Sequence, residues 1–223
     1  MLLMPTLMRA SDDEQLPVAH IDTLAAQQAL AQSVTALMTP QIVLVEDHTL
    51  SLWNRTADGN WEMAFATYCG YGRNGMSLNR HEGDKTTPIG AFPLTVAFGI
   101  ADDPGAAMPY RKVTPNSYWS GEKQDYNTWV EVEPGSRRMR NSEHLITYTV
   151  PYQYCFAIGF NIDPMVVGKG SAIFLHCKGE NGWSTAGCVS VEQPVMVELL
   201  RRCHVGTRII IVPRLTYIDM LGL

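Results

Sequence analysis

From Gln41 onward the apolar residues of this chain arrive in short bursts set apart by turn formers. Gln41-Ile-Val-Leu-Val-Glu46, Leu50–Trp53 and Trp61–Tyr68 follow one another, with turns at Asp47-His48 and Ala57-Asp58-Gly59-Asn60. Further bursts run Leu145–Val150, Tyr154–Phe160, Ala172–Leu175, Val189–Val191 and Thr207–Val212. Runs this short, rich in β-branched and aromatic residues, form strands. Helical spacing is confined to two places. Ile21, Leu24, Ala25, Leu30, Val34, Leu37 and Met38 recur at helical intervals, with Asp22 as cap and Thr39-Pro40 as stop. This predicts an amphipathic helix packed on the main body. Pro194 suits a first helical position; Val195, Met196, Leu199, Leu200 and Cys203 make one stripe, and Gly206 follows. The expected fold class is therefore mainly β, with an N-terminal helix and a second helix near the end.

The domain organisation expected is a disordered start plus helix over residues 1–39, then one domain over 40–223. The opening MLLMPTLM is short, interrupted by Pro5, and lacks the basic region of a signal peptide. No window approaches the roughly 18 apolar residues of a membrane span. A formal charge of -5 argues against nucleic acid as a partner, because that binding rests on clustered Lys and Arg. The oligomeric state is not legible. Five cysteines (69, 155, 177, 188 and 203) show no CxxC pair, and the odd count leaves at least one thiol free in a monomer.

Chemistry concentrates in Gly170–Val191, GSAIFLHCKGENGWSTAGCVSV. Two apolar runs joined by a Gly-, Asn- and Ser-bearing loop read as a hairpin that brings His176 and Cys188 together. Along an extended strand successive side chains alternate. His176 then faces one way and Cys177 the other, toward the core. A thiol beside an imidazole is the minimum apparatus for nucleophilic catalysis. An imidazolium would lower the thiol pKa; a neutral imidazole would instead take the proton as attack begins. Gly187 permits close backbone approach, and N–H groups around Gly187-Cys188 can hold an oxyanion. Residue types alone leave two rivals open. One is a coincidental pair of core residues. The other is a zinc site drawing on His176, Cys177, Cys188, Cys203 and His204, although the spacing fits no finger. Upstream, the polar stretch Arg80–Gly90 reads as either an ordinary loop or an ordered pocket wall. Between residues 99 and 143, Tyr110, Tyr118, Trp119, Tyr126 and Trp129 punctuate a long loop-rich region, suited to covering the core or lining a groove.

The run GSAIFLH, a short loop and STAGCV, together with EGDKTTPIGAFPL upstream, resembles the L,D-transpeptidase catalytic-domain family of peptidoglycan enzymes. Tyr126-Asn127, Ser142-Glu143-His144-Leu145 and Asn161 also fall where a subgroup has similar residues. The resemblance implies a β-rich sandwich or barrel-like fold, Cys188 as nucleophile, His176 as general base and Gly187 as the preceding glycine. It places Ser184, Thr185, Tyr126, Asn127 and Asn161 at the substrate, with no metal and no cofactor. It implies peptidoglycan stem peptides as partners, and hence the cell envelope or the exterior. The implied reaction releases a terminal D-alanine through a cysteine thioester and passes the acyl group to an amine. The alternatives are an L,D-carboxypeptidase or other thiol amidase using water, and a non-catalytic wall-binding protein. In two places the chain departs from many members: Ala186 replaces a second His, and Ser190 replaces an Arg.

Overall fold

The computed structural model describes residues 19–133, 135–137 and 139–223. The expectation of disorder over the first residues lies outside that range, apart from Ala19 and His20. In chain order the elements are helices α1 (Thr23–Gln32) and α2 (Thr35–Met38), then strands β1 (Gln41–Glu46), β2 (Thr49–Arg55) and β3 (Trp61–Tyr68). Next come β4 (Met76–Ser77), β5 (Thr87–Pro88), β6 (Gly90–Gly99), β7 (Tyr110–Lys112), β8 (Ser117–Ser120), β9 (Thr128–Glu131) and β10 (Glu143–His144). The chain ends with β11 (Cys155–Ile158), β12 (Phe174–Cys177), β13 (Val189–Val191), α3 (Gln193–Arg202), β14 (Arg208–Val212) and α4 (Thr216–Leu221).

Nine strands build one curled sheet in the order β13-β12-β11-β6-β14-β1-β2-β3, with β7 alongside β6. β8, β9 and β10 form a small separate sheet, and β4 pairs with β5. The mainly β architecture with helices at the N-terminus and after Cys188 is as expected. Both faces of the central strands are covered. Val43 and Val45 of β1 join Ile209 and Ile211 of β14 in a core closed by Met196, Leu199 and Leu200 of α3. Their neighbours Ile42, Leu44, Ile210 and Val212 face the other way, against Ala26 and Leu30 of α1 and Ile218 of α4. That is why QIVLV and RIIIV read as continuous apolar runs rather than alternating ones.

Three local expectations change. The helix predicted over Asp22–Met38 is two helices. Asp22 does cap α1, its carboxylate accepting from Ala25 N at 3.0 Å. Ser33, however, stops α1, and its hydroxyl accepts from Ala36 N at 3.1 Å to start α2. The break resets the periodicity, so Leu24, Val34, Leu37 and Met38 are exposed while Ala26 and Leu30 are buried. Leu145–Val150 is no strand. It forms a 3₁₀ turn over Leu145–Thr147, where Thr147 Oγ1 bonds His144 O at 2.7 Å, and a second follows at Pro151–Gln153. Side-chain bonding to local carbonyls and a proline without an N–H both favour a turn over a ladder. Finally, β12 and β13 are adjacent but parallel, so they are not a hairpin.

Candidate active site

The parallel pair sets the site. Leu175 stands opposite Val189, His176 opposite Ser190 and Cys177 opposite Val191. Cys188, one residue before β13, therefore stands beside Phe174 on the face that also carries His176. The other face of β12 carries Leu175 and Cys177 into the α3 core. Phe174 and Cys188 belong instead to a third cluster with Trp119, Tyr152 and Phe98. His176 and Cys188 both line one cleft of about 660 Å³.

The return to Cys188 is fixed by hydrogen bonds rather than by a tight turn. The glycine-rich bend after β3 clamps it: Ser190 N bonds Gly70 O at 2.9 Å, Thr185 N bonds Tyr71 O at 3.0 Å, and Arg73 N bonds Thr185 O at 3.0 Å. The Cys188 carbonyl accepts from Thr185 Oγ1 at 2.7 Å and from Thr87 Oγ1 at 3.1 Å. Thr87 lies in the polar stretch before β6, so that stretch holds the backbone of Cys188. The loop from Glu82 to Lys85 meanwhile contributes to the cleft wall. Gly187 has φ +139, and a Cβ there would lie 2.9 Å from Thr86 O and 3.2 Å from Ile173 Cδ1. Only glycine suits that position. Its N–H donates to Thr185 Oγ1 at 3.1 Å, so this amide is committed internally rather than to an oxyanion.

His176 Nδ1 lies 2.7 Å from Cys177 O. A carbonyl only accepts, so Nδ1 carries the proton and Nε2 is left as acceptor. Burial holds the imidazole down at about 4. Burial, with the Glu143 carboxyl adding to it, pushes the Cys188 thiol up to about 12; the Phe174 N–H and the Arg80 charge work against this. Cys188 Sγ accepts from Phe174 N and donates to Ala172 O, each at 3.3 Å. The resting pair is thus a neutral thiol and a neutral imidazole, not an ion pair. Tyr152 packs edge-on to His176, ring centroids 5.7 Å apart, and its hydroxyl donates to Glu143 Oε2 at 2.5 Å. Burial raises the Glu143 carboxyl to about 7 even against that hydrogen bond.

Of the other residues singled out from sequence, Ser184 and Thr185 line the cleft, while Tyr126, Asn127 and Asn161 lie behind it. Asn127 Oδ1 accepts from Trp119 Nε1 and Ala172 N; its Nδ2 donates to Phe160 O and Asn161 O. Asn161 holds Val166 and Gly170 O. Tyr126 donates to Glu82 and accepts from Gly170 N. Their polar atoms are spent on the segment that delivers Ala172, whose φ of +53 turns its carbonyl toward Cys188. Arg80, Tyr148 and Tyr152 line the cleft without having been singled out as site residues. Arg80 opens the polar stretch read as a loop or a pocket wall; nothing in the local spacing marks Tyr148 and Tyr152, which folding brings in from a distant segment. Cys69, Cys155, Cys177, Cys188 and Cys203 are all free and buried. Among the described residues no group of three or more His, Cys, Asp or Glu is arranged to hold a metal, and no helix is long and apolar enough to cross a membrane.

Fold and site together define a mainly β protein with a thiol and an imidazole on one wall of an open cleft. The family described as YkuD, L,D-transpeptidase catalytic domain, matches residues 41–211, and the chain belongs to it. The family is peptidoglycan-related. Similar solved structures include the helical cell shape determining protein Pgp2 from Campylobacter jejuni, at 16% identity and TM-score 0.46, covering 78% of this chain and 48% of that one. The L,D-transpeptidase (Yku) from Stackebrandtia nassauensis shares 16% identity at TM-score 0.38, covering 86% and 66%. Mycobacterium tuberculosis L,D-transpeptidase 1 shares 13% identity at TM-score 0.35, covering 78% and 61%. This chain thus spans from about half to about two thirds of the length of those chains. No curated protein matches it.

Proposed function

We propose that this protein is a peptidoglycan L,D-transpeptidase of the cell envelope that works through a thioester on Cys188. We place its catalytic unit at residues 40–223, with 1–39 as an N-terminal extension. One observation carries the reading. His176 and Cys188 rise from the same face of adjoining parallel strands into one cleft, and the Cys177 carbonyl fixes the imidazole in the tautomer that accepts a proton at Nε2. Because both groups rest neutral, the proton leaves Sγ for Nε2 as sulfur attacks the carbonyl carbon. The C–S bond forms, the C–N bond breaks, and the imidazolium returns the proton to the departing amine of D-alanine. In the second half an acceptor amine attacks the thioester. His176 takes its proton and restores the thiol. Water in place of the amine gives the carboxypeptidase outcome.

Ser184 is assigned to the substrate wall. Thr185, Asn127, Asn161 and Tyr126 are assigned to bracing the backbone around Cys188. The test is intact mass spectrometry after incubation with purified tetrapeptide muropeptide. The wild type should gain the mass of the stem peptide less D-alanine, and Cys188→Ala should gain nothing. The same adduct on the alanine variant would refute the assignment, and the released products divide amine from water as acceptor.

A further inference from the structure

Arg80 is only 5% exposed, yet it lines the cleft that holds His176 and Cys188. Two glycines make room for it. A Cβ on Gly170 would fall 2.2 Å from Nη1, and a Cβ on Gly187 would fall 3.6 Å from Nη2. The Phe160 ring centroid lies 5.4 Å from its Cζ. The protein gives this guanidinium little to hold. Nη2 has one long bond, 3.4 Å to His81 O, and Nε stands 3.8 Å from Asp84 Oδ1. Nε and Nη1 are sealed from solvent with no hydrogen-bond partner. Asp84 is already occupied by His81 N, Thr86 N and Thr86 Oγ1. A guanidinium cannot shed its charge, so a buried one with idle donors is costly unless an anion comes to it.

The other cationic residues of the cleft, Arg73 and Lys85, are exposed. Arg80 alone is buried, and its Nη2 abuts the residue before Cys188. Ser190, opposite His176 and two positions after Cys188, is a neutral residue. Its hydroxyl donates to Trp183 O at 2.8 Å, so no charge comes from there.

We infer that Arg80 is the anion anchor of the donor subsite, binding the free carboxylate of the C-terminal residue that leaves. That carboxylate is three covalent bonds from the scissile carbonyl, a span of roughly 3–4 Å. A guanidinium beside Gly187 therefore meets it when the sulfur of the next residue meets the carbonyl. This rests on Cys188 being the nucleophile.

The test compares a tetrapeptide stem ending in D-alanine with its C-terminal amide, in two readouts. Calorimetric binding to Cys188→Ala should favour the acid by roughly tenfold or more, the scale of a charge-assisted hydrogen bond. Acylation of the wild type should show the same preference. Arg80→Gln should erase the preference and Arg80→Lys should keep part of it. Equal binding of acid and amide overturns the anchor, whatever the acylation result, and needs no change at Arg80. A binding preference without any thioester keeps the anchor and sinks the nucleophile; equal acylation of both peptides sinks the anchor alone.

Discussion

Glu143→Gln and His176→Asn should tilt the acid stability of this protein in opposite directions. Burial lowers the His176 imidazole from 6.5 to about 4. Burial raises the Glu143 carboxyl from 4.5 to about 7, helped by the Glu82 charge and opposed by the Tyr152 hydroxyl. Between pH 4.5 and 6.5 the unfolded chain carries a proton on His176 that the folded protein lacks. In the same window the folded protein carries a proton on Glu143 that the unfolded chain has lost. Each unbalanced proton changes stability by about 1.4 kcal/mol per pH unit. The His176 contribution is complete above pH 6.5 and is lost as pH falls toward 4. The Glu143 contribution is complete below pH 4.5 and is lost as pH rises toward 7. In the wild type the two oppose each other. Over two pH units each is worth roughly 2–3 kcal/mol.

Removing the carboxyl with Glu143→Gln leaves His176 uncompensated. That variant should lose roughly 2–3 kcal/mol relative to the wild type between pH 6.5 and 4.5. His176→Asn should gain about as much over the same interval. Urea melts at three pH values give the slopes. Subtracting the wild type removes the shared contribution of the lowered carboxylates Asp84 and Asp125. Two variants that run parallel to the wild type, or tilt the same way, would show that these groups are not buried in the protonation states described.

Gly187→Ala must place a Cβ 2.9 Å from Thr86 O at φ +139, which should cost about 1–3 kcal/mol in stability and slow acylation at least tenfold. A urea melt and a single-turnover mass assay measure both, and an unchanged acylation rate would show that the approach at Gly187 is not needed. Thr185→Val removes the donor to the Cys188 carbonyl and strands the buried Gly187 N–H. It should destabilise by about 1–3 kcal/mol, and Thr185→Ser should restore most of that; equal melts for valine and wild type would count against the brace.

Much of the frame was readable because burial imposes local rules. β1 and β3 begin and end where their apolar runs do, and β14 begins one residue inside its run. Asp22 caps α1, and Met196, Leu199 and Leu200 of α3 are buried as their spacing requires. The alternation that separates His176 from Cys177 also follows from extended backbone alone. The motif residues around Cys188 and before β6 were enough to point to the family, which the match over residues 41–211 shows.

Other features had no local signature. A side-chain period of two is the same for parallel and antiparallel neighbours, so nothing in the runs at 174–177 and 189–191 fixed their direction. That was decided by the bonds from Gly70, Tyr71 and Arg73, far away in the chain. The charge beside Cys188 was equally hidden. Arg80 reads as one residue of a polar turn until Gly170 and Gly187 close around it. The protonation state of the thiol and imidazole depends on how much water folding removes, and no residue type carries that information. Strands β1–β3 and β11–β14, the Asp22 cap and the thiol and imidazole of one motif were legible residue by residue, because burial and backbone chemistry act over a few neighbours. Tertiary structure alone decided which faces meet, where the buried charge sits and which groups rest neutral, because those depend on contacts between distant segments and on the exclusion of solvent.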